Sequence, residues 1–392
     1  MCRGFIRFFL LEESNRGQPF MSSDNCKDIQ KSGKDLVFED FSSSIGLLRF
    51  PLIVLIVFIH ARFQGPDYPD AGTELLCKSI FWGKMPHCAV ATFFLFSGYL
   101  FASRTMQGKK KGQYDNFHSY LEMLRRKFKS LAVPYFLWNT LIMLPHLLVL
   151  VLNVSSSLLP SPKFANMSFM QILVRTYGLD IREFPIDVPL WYVRSLMLFF
   201  LFSPIFLLLI RGLPKYLCFL LLVAGSFLPA NGSVPFFLLG MFCGYFEIDL
   251  RPLKNKWGLL LLIPLPAFCL LADCLPSIQA NIGKNVILAI LHWSFLLFLI
   301  PLTMLIQRLP DKLRKMLVLG GGYSFWIYCS HAPIATTLSR IGLRSQCLGM
   351  PPLLWMILTS AVTIASTLLA FYVVRRIAPR AAKVLCGGRL PK

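Results

Sequence analysis

Residues 44–62 read Ser-Ile-Gly-Leu-Leu-Arg-Phe-Pro-Leu-Ile-Val-Leu-Ile-Val-Phe-Ile-His-Ala-Arg, an apolar run with Arg49 near its start and His60 near its end. An apolar run of this length predicts a membrane-spanning helix. Because Arg49 and His60 are eleven positions apart, close to three helical turns, they project from one face, about 16 Å apart along the axis. Charged and titratable groups are expensive in such a segment, so this pair is the first functional hypothesis.

The composition of the whole chain agrees with a membrane protein. Of 392 residues, 55% are hydrophobic, and the mean hydropathy is +0.60. The net charge of +21 does not indicate nucleic acid as a partner, because the basic residues lie between apolar segments and form no nucleic-acid motif. The eleven cysteines contain no Cys-x-x-Cys pair, so neither a disulfide framework nor a metal site is predicted.

Hydropathy predicts an all-α integral membrane protein, a bundle of about ten transmembrane helices. The predicted spans are 45–63, 86–103, 131–152, 189–210, 215–230, 233–248, 257–272, 285–306, 317–338 and 352–374. Spans 215–230 and 233–248 are short and are interpreted as one helical hairpin. Span 317–338 is the most polar and the richest in glycine.

The distribution of Lys and Arg predicts the orientation. With the N-terminus in the cytoplasm, 29 basic residues fall on the inner side and 9 on the outer side, as the positive-inside rule requires. Both termini are therefore predicted to be cytoplasmic. Residues 1–44 and 375–392 are predicted to be cytoplasmic tails, the first poorly ordered and the second basic, around a transmembrane domain at 45–374.

This orientation assigns depths to the polar residues inside the spans. Arg49 is expected near the cytoplasmic side of its span, and His60 in the outer half of the membrane. The same outer level is predicted for Trp191, Arg194 and His331, and also for His146 and His292. These side chains would form a reaction chamber, provided that their helices face one another.

His60 is the strongest candidate for catalysis. A neutral imidazole in an apolar cavity can take a proton from an alcohol and return it to a leaving group near neutral pH. The alternative is a histidine at a helix end that bonds a neighbouring carbonyl group. Arg49 can likewise be an interfacial arginine whose charged head reaches the membrane surface. The three-turn register favours a joint function.

Two other segments carry candidate binding residues. The predicted loop 104–129 contains the run 125–129, Arg-Arg-Lys-Phe-Lys, which either sets topology and attracts anionic lipid or grips an anionic cytosolic cofactor. Ser324, Tyr328 and His331 share one helix face. They line a cavity or form a hydrogen-bonded helix interface. The small residues of Ser97-Gly98 are interpreted as a site of close helix packing.

Taken together, these motifs resemble those of the membrane-bound acyltransferase 3 family in its stand-alone form. They are Arg49-x10-His60, Phe94-Leu-Phe-Ser-Gly-Tyr99, the basic run ending in Pro134-Tyr135, Pro189-Leu-Trp-Tyr-Val-Arg194 and Gly322-Tyr-Ser-Phe-Trp-Ile-Tyr-Cys-Ser-His331. Members typically move an acetyl or another short acyl group from cytosolic coenzyme A onto a carbohydrate hydroxyl at the extracytoplasmic face. The resemblance implies acetyl-CoA or another short acyl-CoA as donor, a carbohydrate or glycolipid acceptor, and a bacterial cytoplasmic (inner) membrane.

The resemblance also implies roles for individual residues. His60 would be the general base, or less readily a transient acyl carrier, and Arg49 would guide the donor. Arg194 or Tyr328 would stabilise the oxyanion. The coenzyme A phosphates would be held by Arg125, Arg126 and Lys129, and the substrate site would be lined by Trp191, Arg194, Ser324, Tyr328 and His331.

Two other classes of function compete with an acyltransferase. A transporter or exporter of a glycan precursor often has two similar halves, and the sequence shows no such internal repeat. A purely structural membrane subunit leaves the buried Arg and His residues without a purpose. Within the enzyme hypothesis, the first span contains no acidic residue to orient His60. Its partner is expected from another helix, and Asp187 is one candidate.

Overall fold

The structure is a computed structural model that describes residues 33–61, 84–110, 117–151, 167–180, 182–228, 233–249, 284–344, 349–388 and 390. Across these residues the chain forms twelve α-helices and one 3-10 turn, Val188–Leu190. The predicted all-helical class is confirmed. The predicted span 257–272 lies outside the described residues.

The helices are numbered here in chain order. They are α1 Gly33–His60, α2 Lys84–Lys110, α3 Phe117–Val151, α4 Phe169–Tyr177, α5 Trp191–Gly212, α6 Lys215–Gly225, α7 Ser233–Tyr245, α8 Lys284–Gln307, α9 Asp311–Gly322, α10 Ser324–Arg344, α11 Pro352–Ile377 and α12 Pro379–Leu385.

Six of these helices are long and apolar enough to cross a membrane: α1, α2, α3, α5, α8 and α11. The chain is therefore a multi-pass integral membrane protein. Helices α6 and α7 contain only 11 and 13 residues, which at 1.5 Å per residue is short of a hydrocarbon core of about 30 Å. The total of ten spans and the orientation of the termini stay predictions.

Two segments differ from the predicted secondary structure. The interval 104–129 is largely helical rather than a loop, because α2 continues to Lys110 and α3 already begins at Phe117. The predicted span 317–338 is divided at Tyr323 into α9 and α10. At the C-terminus, α12 packs against α3, and the indole of Trp138 donates to the carbonyl of Leu385 at 3.2 Å.

Glycines allow a very close contact between α2 and α7. A Cβ atom added at Gly98 would collide with the backbone of α7, and one added at Gly240 would collide with the backbone of α2. Backbone-to-backbone packing of this kind requires small residues at the contact. The interpretation as a site of close helix packing is confirmed for Gly98.

Helix α1 lies at the centre of the described bundle, in contact with α2, α8, α9, α10 and α11. Two glycines of α9 let it approach α1. A Cβ added at Gly320 would collide with the ring of Phe50, and one added at Gly321 would lie 3.3 Å from the Cβ of Arg49. The glycine run predicted to lie at membrane depth therefore serves as the surface on which α1 packs.

Candidate active site

The two polar residues of α1 both face the α9–α10 segment. The stem of Arg49 packs on Gly321, while the ring of His60 lies 5.0 Å from the ring of His331, centroid to centroid, with the planes at 67°. From Arg49 to His60, α1 advances by eleven residues, and its contact partners advance by ten, from Gly321 to His331. The two segments therefore run side by side in the same direction. The predicted shared face of Arg49 and His60 is thus a packed face.

The surroundings of His331 fix its tautomer. Its Nδ1 lies 2.8 Å from the carbonyl oxygen of Tyr328 and 3.0 Å from that of Ile327. Carbonyl oxygens only accept hydrogen bonds, so Nδ1 carries the proton and Nε2 carries a lone pair. The side chain is fully buried, and Nε2 has no hydrogen-bond partner among the described residues. A buried acceptor therefore faces the site beside His60.

Tyrosines extend the site from the histidines to α2 and α5. The ring of Tyr328 lies 6.2 Å from that of His331 and 5.8 Å from that of Tyr192. The hydroxyl of Tyr192 lies 3.1 Å from the Oγ of Ser97. We call His60, Ser97, Tyr192, Tyr328 and His331 the histidine–tyrosine cluster.

The two predicted oxyanion donors are already engaged. The hydroxyl of Tyr328 donates to the carbonyl of Pro189. The Nη1 of Arg194 donates to the carbonyls of Gly178, of Asp180 at 3.2 Å and of Glu183 at 2.8 Å. Arg194 thus holds the loop before the 3-10 turn. Its role in substrate binding, like that of Tyr328 at an oxyanion, stays a prediction that requires these bonds to open.

The two remaining predicted substrate residues lie at the edges of the cluster. Trp191 is half-buried, with its ring 6.0 Å from that of Phe94. Ser324 is buried one turn before Tyr328 on α10, and its Oγ has no hydrogen-bond partner in the part of the chain that the structure describes. Ser324 lies on the segment between the Arg49 contact and the His60 contact.

Of the predicted layer of histidines, only His331 joins His60. The Nδ1 of His146 bonds the carbonyl of Ile142 within its own helix at 2.8 Å. The ring of His292 packs against that of Phe236 at 5.3 Å. Asp187, the acidic candidate for orienting His60, forms no hydrogen bond through its carboxylate to any described residue. A second histidine, His331, is one neighbour of His60.

Two buried cations lie near each other at the other end of α1, and a third lies against Phe101, one turn before Arg104 on α2. Arg49 and Arg104, from α1 and α2, are both buried and lie within electrostatic range of each other. Lys127 of α3 is buried as well, with its Nζ 4.3 Å from the ring centre of Phe101 and 5.2 Å from that of Phe200. We call Arg49, Arg104 and Lys127 the cationic cluster.

The predicted phosphate-binding residues lie on the opposite side of α3. Arg125, Arg126 and Lys129 are exposed, and Arg126 pairs with Glu122 one turn earlier at 3.1 Å. Sequence reasoning therefore missed the inward-facing member of the run, Lys127, and also Arg104. The signal for Lys127 was present, because it continues a stripe of buried residues at four-residue spacing, Met123, Lys127 and Leu131.

Comparison with known proteins identifies the family. An acyltransferase domain model, that of acyltransferase 3, matches residues 42–373, which include every residue of both clusters. The chain belongs to the acyltransferase 3 family. The resemblance drawn from the motifs is therefore confirmed. Within the described residues, no group of three His, Cys, Asp or Glu side chains is placed to hold a metal ion.

One relative of this acyltransferase 3 chain is the succinoglycan biosynthesis protein ExoH of Rhizobium meliloti (strain 1021). It is 26% identical over 375 residues, which cover 89% of this chain and 92% of the relative. No solved structure matches the chain. The structure adds that separate acyltransferase 3 motifs meet in space, since the histidine–tyrosine cluster draws on the motifs of α1, α2, α5 and α10.

Proposed function

We propose that this protein transfers a short acyl group, most simply acetyl, from cytosolic acyl-CoA to a hydroxyl group of a carbohydrate or glycolipid. His60 is the general base. Family membership supports acyl transfer, and the relative in succinoglycan biosynthesis supports a carbohydrate acceptor. The membrane in this proposal is the cytoplasmic membrane of a bacterium, with the donor at its inner side.

The observation that carries the proposal is the contact between His60 and His331 at one end of a helix whose other end presents Arg49. A neutral imidazole beside a second, fully buried imidazole can take a proton from an alcohol and return it to a leaving group. The lone pair on Nε2 of His331 gives a hydroxyl of the acceptor a second place to bind. If His60 and His331 only packed against each other, nothing would explain why the buried Nε2 of His331 lacks a hydrogen bond among the described residues.

In the proposed reaction, His60 carries one proton from the acceptor hydroxyl to the departing thiolate. The imidazole takes the hydroxyl proton as the acceptor oxygen attacks the thioester carbonyl, forming a C–O bond. The tetrahedral intermediate then collapses with cleavage of the C–S bond, and the imidazolium returns the proton to the departing thiolate. The products are an ester and coenzyme A with a free thiol.

The donor lies along α1 in this proposal. The exposed residues Arg125, Arg126 and Lys129 bind the phosphates of the nucleotide end, where bidentate guanidinium contacts are favourable. The buried cationic cluster attracts the phosphates nearest to the bundle. The thin pantetheine arm passes Ser324, whose Oγ lacks a partner among described residues, and carries the thioester to His60.

The direct test is acyl transfer by the purified protein in detergent. Radiolabelled acetyl-CoA or succinyl-CoA is mixed with base-deacylated succinoglycan oligosaccharides, and label in the saccharide is counted. Counting saccharide label avoids thiol reagents, which would react with the eleven cysteines of the chain. His60→Ala is expected to lower the rate about 10²- to 10⁴-fold, the usual contribution of a general base.

His118→Ala provides the matched control, because His118 is an exposed histidine on α3. It should leave the rate within about twofold of wild type. Full activity of a correctly inserted His60→Ala protein would remove His60 from the mechanism. A wild-type protein that moves the saccharide across vesicles but transfers no label would favour the transporter alternative.

A further inference from the structure

Asp187 is a buried acidic residue that the mechanism above does not use. It lies directly before the 3-10 turn, and its main chain is fully bonded. Its N–H donates to the Oδ1 of Asn139 at 3.2 Å, and its carbonyl accepts from the N–H of Leu190 at 2.9 Å. The side chain is 2% exposed. Neither carboxylate oxygen has a hydrogen-bond partner among the residues that the structure describes.

Asp187 does not cap the 3-10 turn that follows it. An aspartate before a helical turn normally accepts hydrogen bonds from the first N–H groups of that turn. Asp187 makes no side-chain bond of this kind, and the second residue of the turn, Pro189, has no N–H to offer. Capping therefore does not explain why a carboxyl group is buried at this place.

Two hydroxyl groups near Asp187 are already engaged elsewhere, and the thiol of Cys329, also within its electrostatic range, makes no hydrogen bond to it. The Tyr135 and Tyr328 hydroxyls lie within its electrostatic range. Each hydroxyl has a single hydrogen, and that hydrogen is already given to a backbone carbonyl, of Tyr177 at 2.5 Å and of Pro189 respectively. A hydrogen bond to the Asp187 carboxyl must therefore come from a group outside the described chain.

The position of Asp187 connects it to the histidine–tyrosine cluster. Tyr328 bonds the carbonyl of Pro189, two residues after Asp187, and the ring of Tyr328 lies 6.2 Å from that of His331. His331 in turn contacts His60. A ligand held at His60 and extending past Tyr328 would therefore approach Asp187.

We propose that the Asp187 carboxyl binds a hydroxyl group of the carbohydrate acceptor, next to the hydroxyl that is acylated at His60. This inference rests on the proposed function. A hydroxyl group both donates and accepts, so it satisfies a carboxyl group in either protonation state. An anionic ligand would be repelled by the ionised form of the carboxyl, and an apolar ligand would leave the carboxyl unbonded in either form.

The electrostatics of the site support a hydroxyl rather than an ammonium group as the partner. Burial raises the pKa of the Asp187 carboxyl well above its ordinary value. The group is therefore held towards its neutral form, which gains little from a cation. A neutral carboxyl and a sugar hydroxyl can each donate one hydrogen bond to the other.

The test compares Asp187→Leu and Asp187→Asn with wild type. Leucine keeps the approximate volume without any polar atom, and asparagine keeps one donor and one acceptor. With deacylated succinoglycan oligosaccharides as the probe, Asp187→Leu is expected to raise the acceptor KM about 10- to 100-fold. Asp187→Asn should raise it less, and the KM for acyl-CoA should change in neither variant. Asp180→Asn, an exposed aspartate in the same loop, is the matched control.

Melting temperatures separate this binding role from a structural role and from turnover. Without saccharide, Asp187→Leu should melt at or above wild type, because it removes a buried unbonded carboxyl. The oligosaccharides should raise the melting temperature of wild type and not that of Asp187→Leu. An unchanged acceptor KM in Asp187→Leu, or an equal melting shift in both proteins, overturns the inference. A wild type that shows the melting shift but transfers no acyl group overturns the proposed function instead.

Discussion

Substitutions at His331 can separate the hydrogen bond of Nδ1 to the helix backbone from the proposed hydrogen bond of Nε2 to the acceptor. Asparagine can retain the bond of Nδ1 to the helix carbonyls, and the chain itself contains the precedent. The Nδ2 of Asn139 donates to the carbonyl of Tyr135, four residues earlier in α3, at 2.9 Å. Glutamine reaches farther and can place its amide oxygen where Nε2 of His331 lies. His331→Asn thus keeps the hydrogen-bond donor at Nδ1, and His331→Gln keeps the acceptor at Nε2.

The size of the effect follows from one hydrogen bond in a buried site. Nε2 of His331 is buried and has no partner among described residues. A second hydroxyl of the acceptor, distinct from the one whose proton His60 takes, can donate to Nε2, and leaving that buried hydroxyl without a partner costs about 1–3 kcal/mol. His331→Asn should therefore lose about 5- to 150-fold in kcat/KM. His331→Gln should lose less, although its melting temperature is expected to be the lower of the two.

The assay measures transfer of radiolabelled acetyl to deacylated oligosaccharide, together with melting of each variant in the same detergent. The expected order of activity is wild type, then Gln, then Asn, whereas the expected order of stability places Asn above Gln. A variant pair that loses activity and stability in the same order would refute the reasoning. Wild-type activity of His331→Asn would refute it as well, since that variant lacks the Nε2 acceptor.

Three further predictions concern packing, donor binding and pH. Gly98→Ala should destabilise the protein by about 2–3 kcal/mol or more, because the new Cβ meets the backbone of α7, whereas Gly212→Ala has open space and should be neutral to slightly stabilising. Lys127→Met should raise the KM for acyl-CoA about tenfold, and the exposed Arg125→Met should change it less. Because burial raises the pKa of Asp187, its stability contribution is present at low pH and is lost as pH rises. The melting temperature of Asp187→Asn should therefore rise relative to that of wild type as pH is raised from 4.5 to 8.

Each of these predictions has an outcome that contradicts it. Equal melting temperatures for Gly98→Ala and Gly212→Ala would mean that α2 and α7 are not packed backbone to backbone. A larger donor defect in Arg125→Met than in Lys127→Met would mean that the exposed residues of α3 contribute more to donor binding than the cationic cluster does. A melting difference between wild type and Asp187→Asn that stays constant with pH would mean that burial does not raise the pKa of this carboxyl.

Local periodicity was sufficient to predict the features that depend on one helix alone. Arg49 and His60 share a face because three turns separate them, and that holds whichever helix packs there. The small side chains at Ser97-Gly98 predicted close packing without naming α7 as the partner. The helical class followed from apolar length, because a backbone in lipid must satisfy its own hydrogen bonds.

The features that were missed depend on how each helix is rotated against its neighbours. The run 125–129 has four basic residues on one helix, and only the rotation of α3 decides that Lys127 faces inward while the other three face outward. The bonds of Arg194 to the carbonyls of Gly178, Asp180 and Glu183 depend on the fold of the loop that carries these carbonyls. The pairing of His60 with His331 joins residues far apart in sequence, which periodicity does not encode.

The buried cations and the proposed reaction centre lie at opposite ends of α1. The cationic cluster lies at the Arg49 end, and the histidine–tyrosine cluster at the His60 end, about 16 Å away. That separation excludes a direct Arg49–His60 dyad and suits a donor whose anionic head and reactive thioester are joined by a thin, uncharged arm. In such a site the phosphates can stay near water while only the arm and the acyl group enter the bundle, so no charge is desolvated at the reacting centre. Loss of the Arg49 charge should then weaken donor binding without altering the pH profile of kcat, whereas loss of either histidine should alter kcat itself.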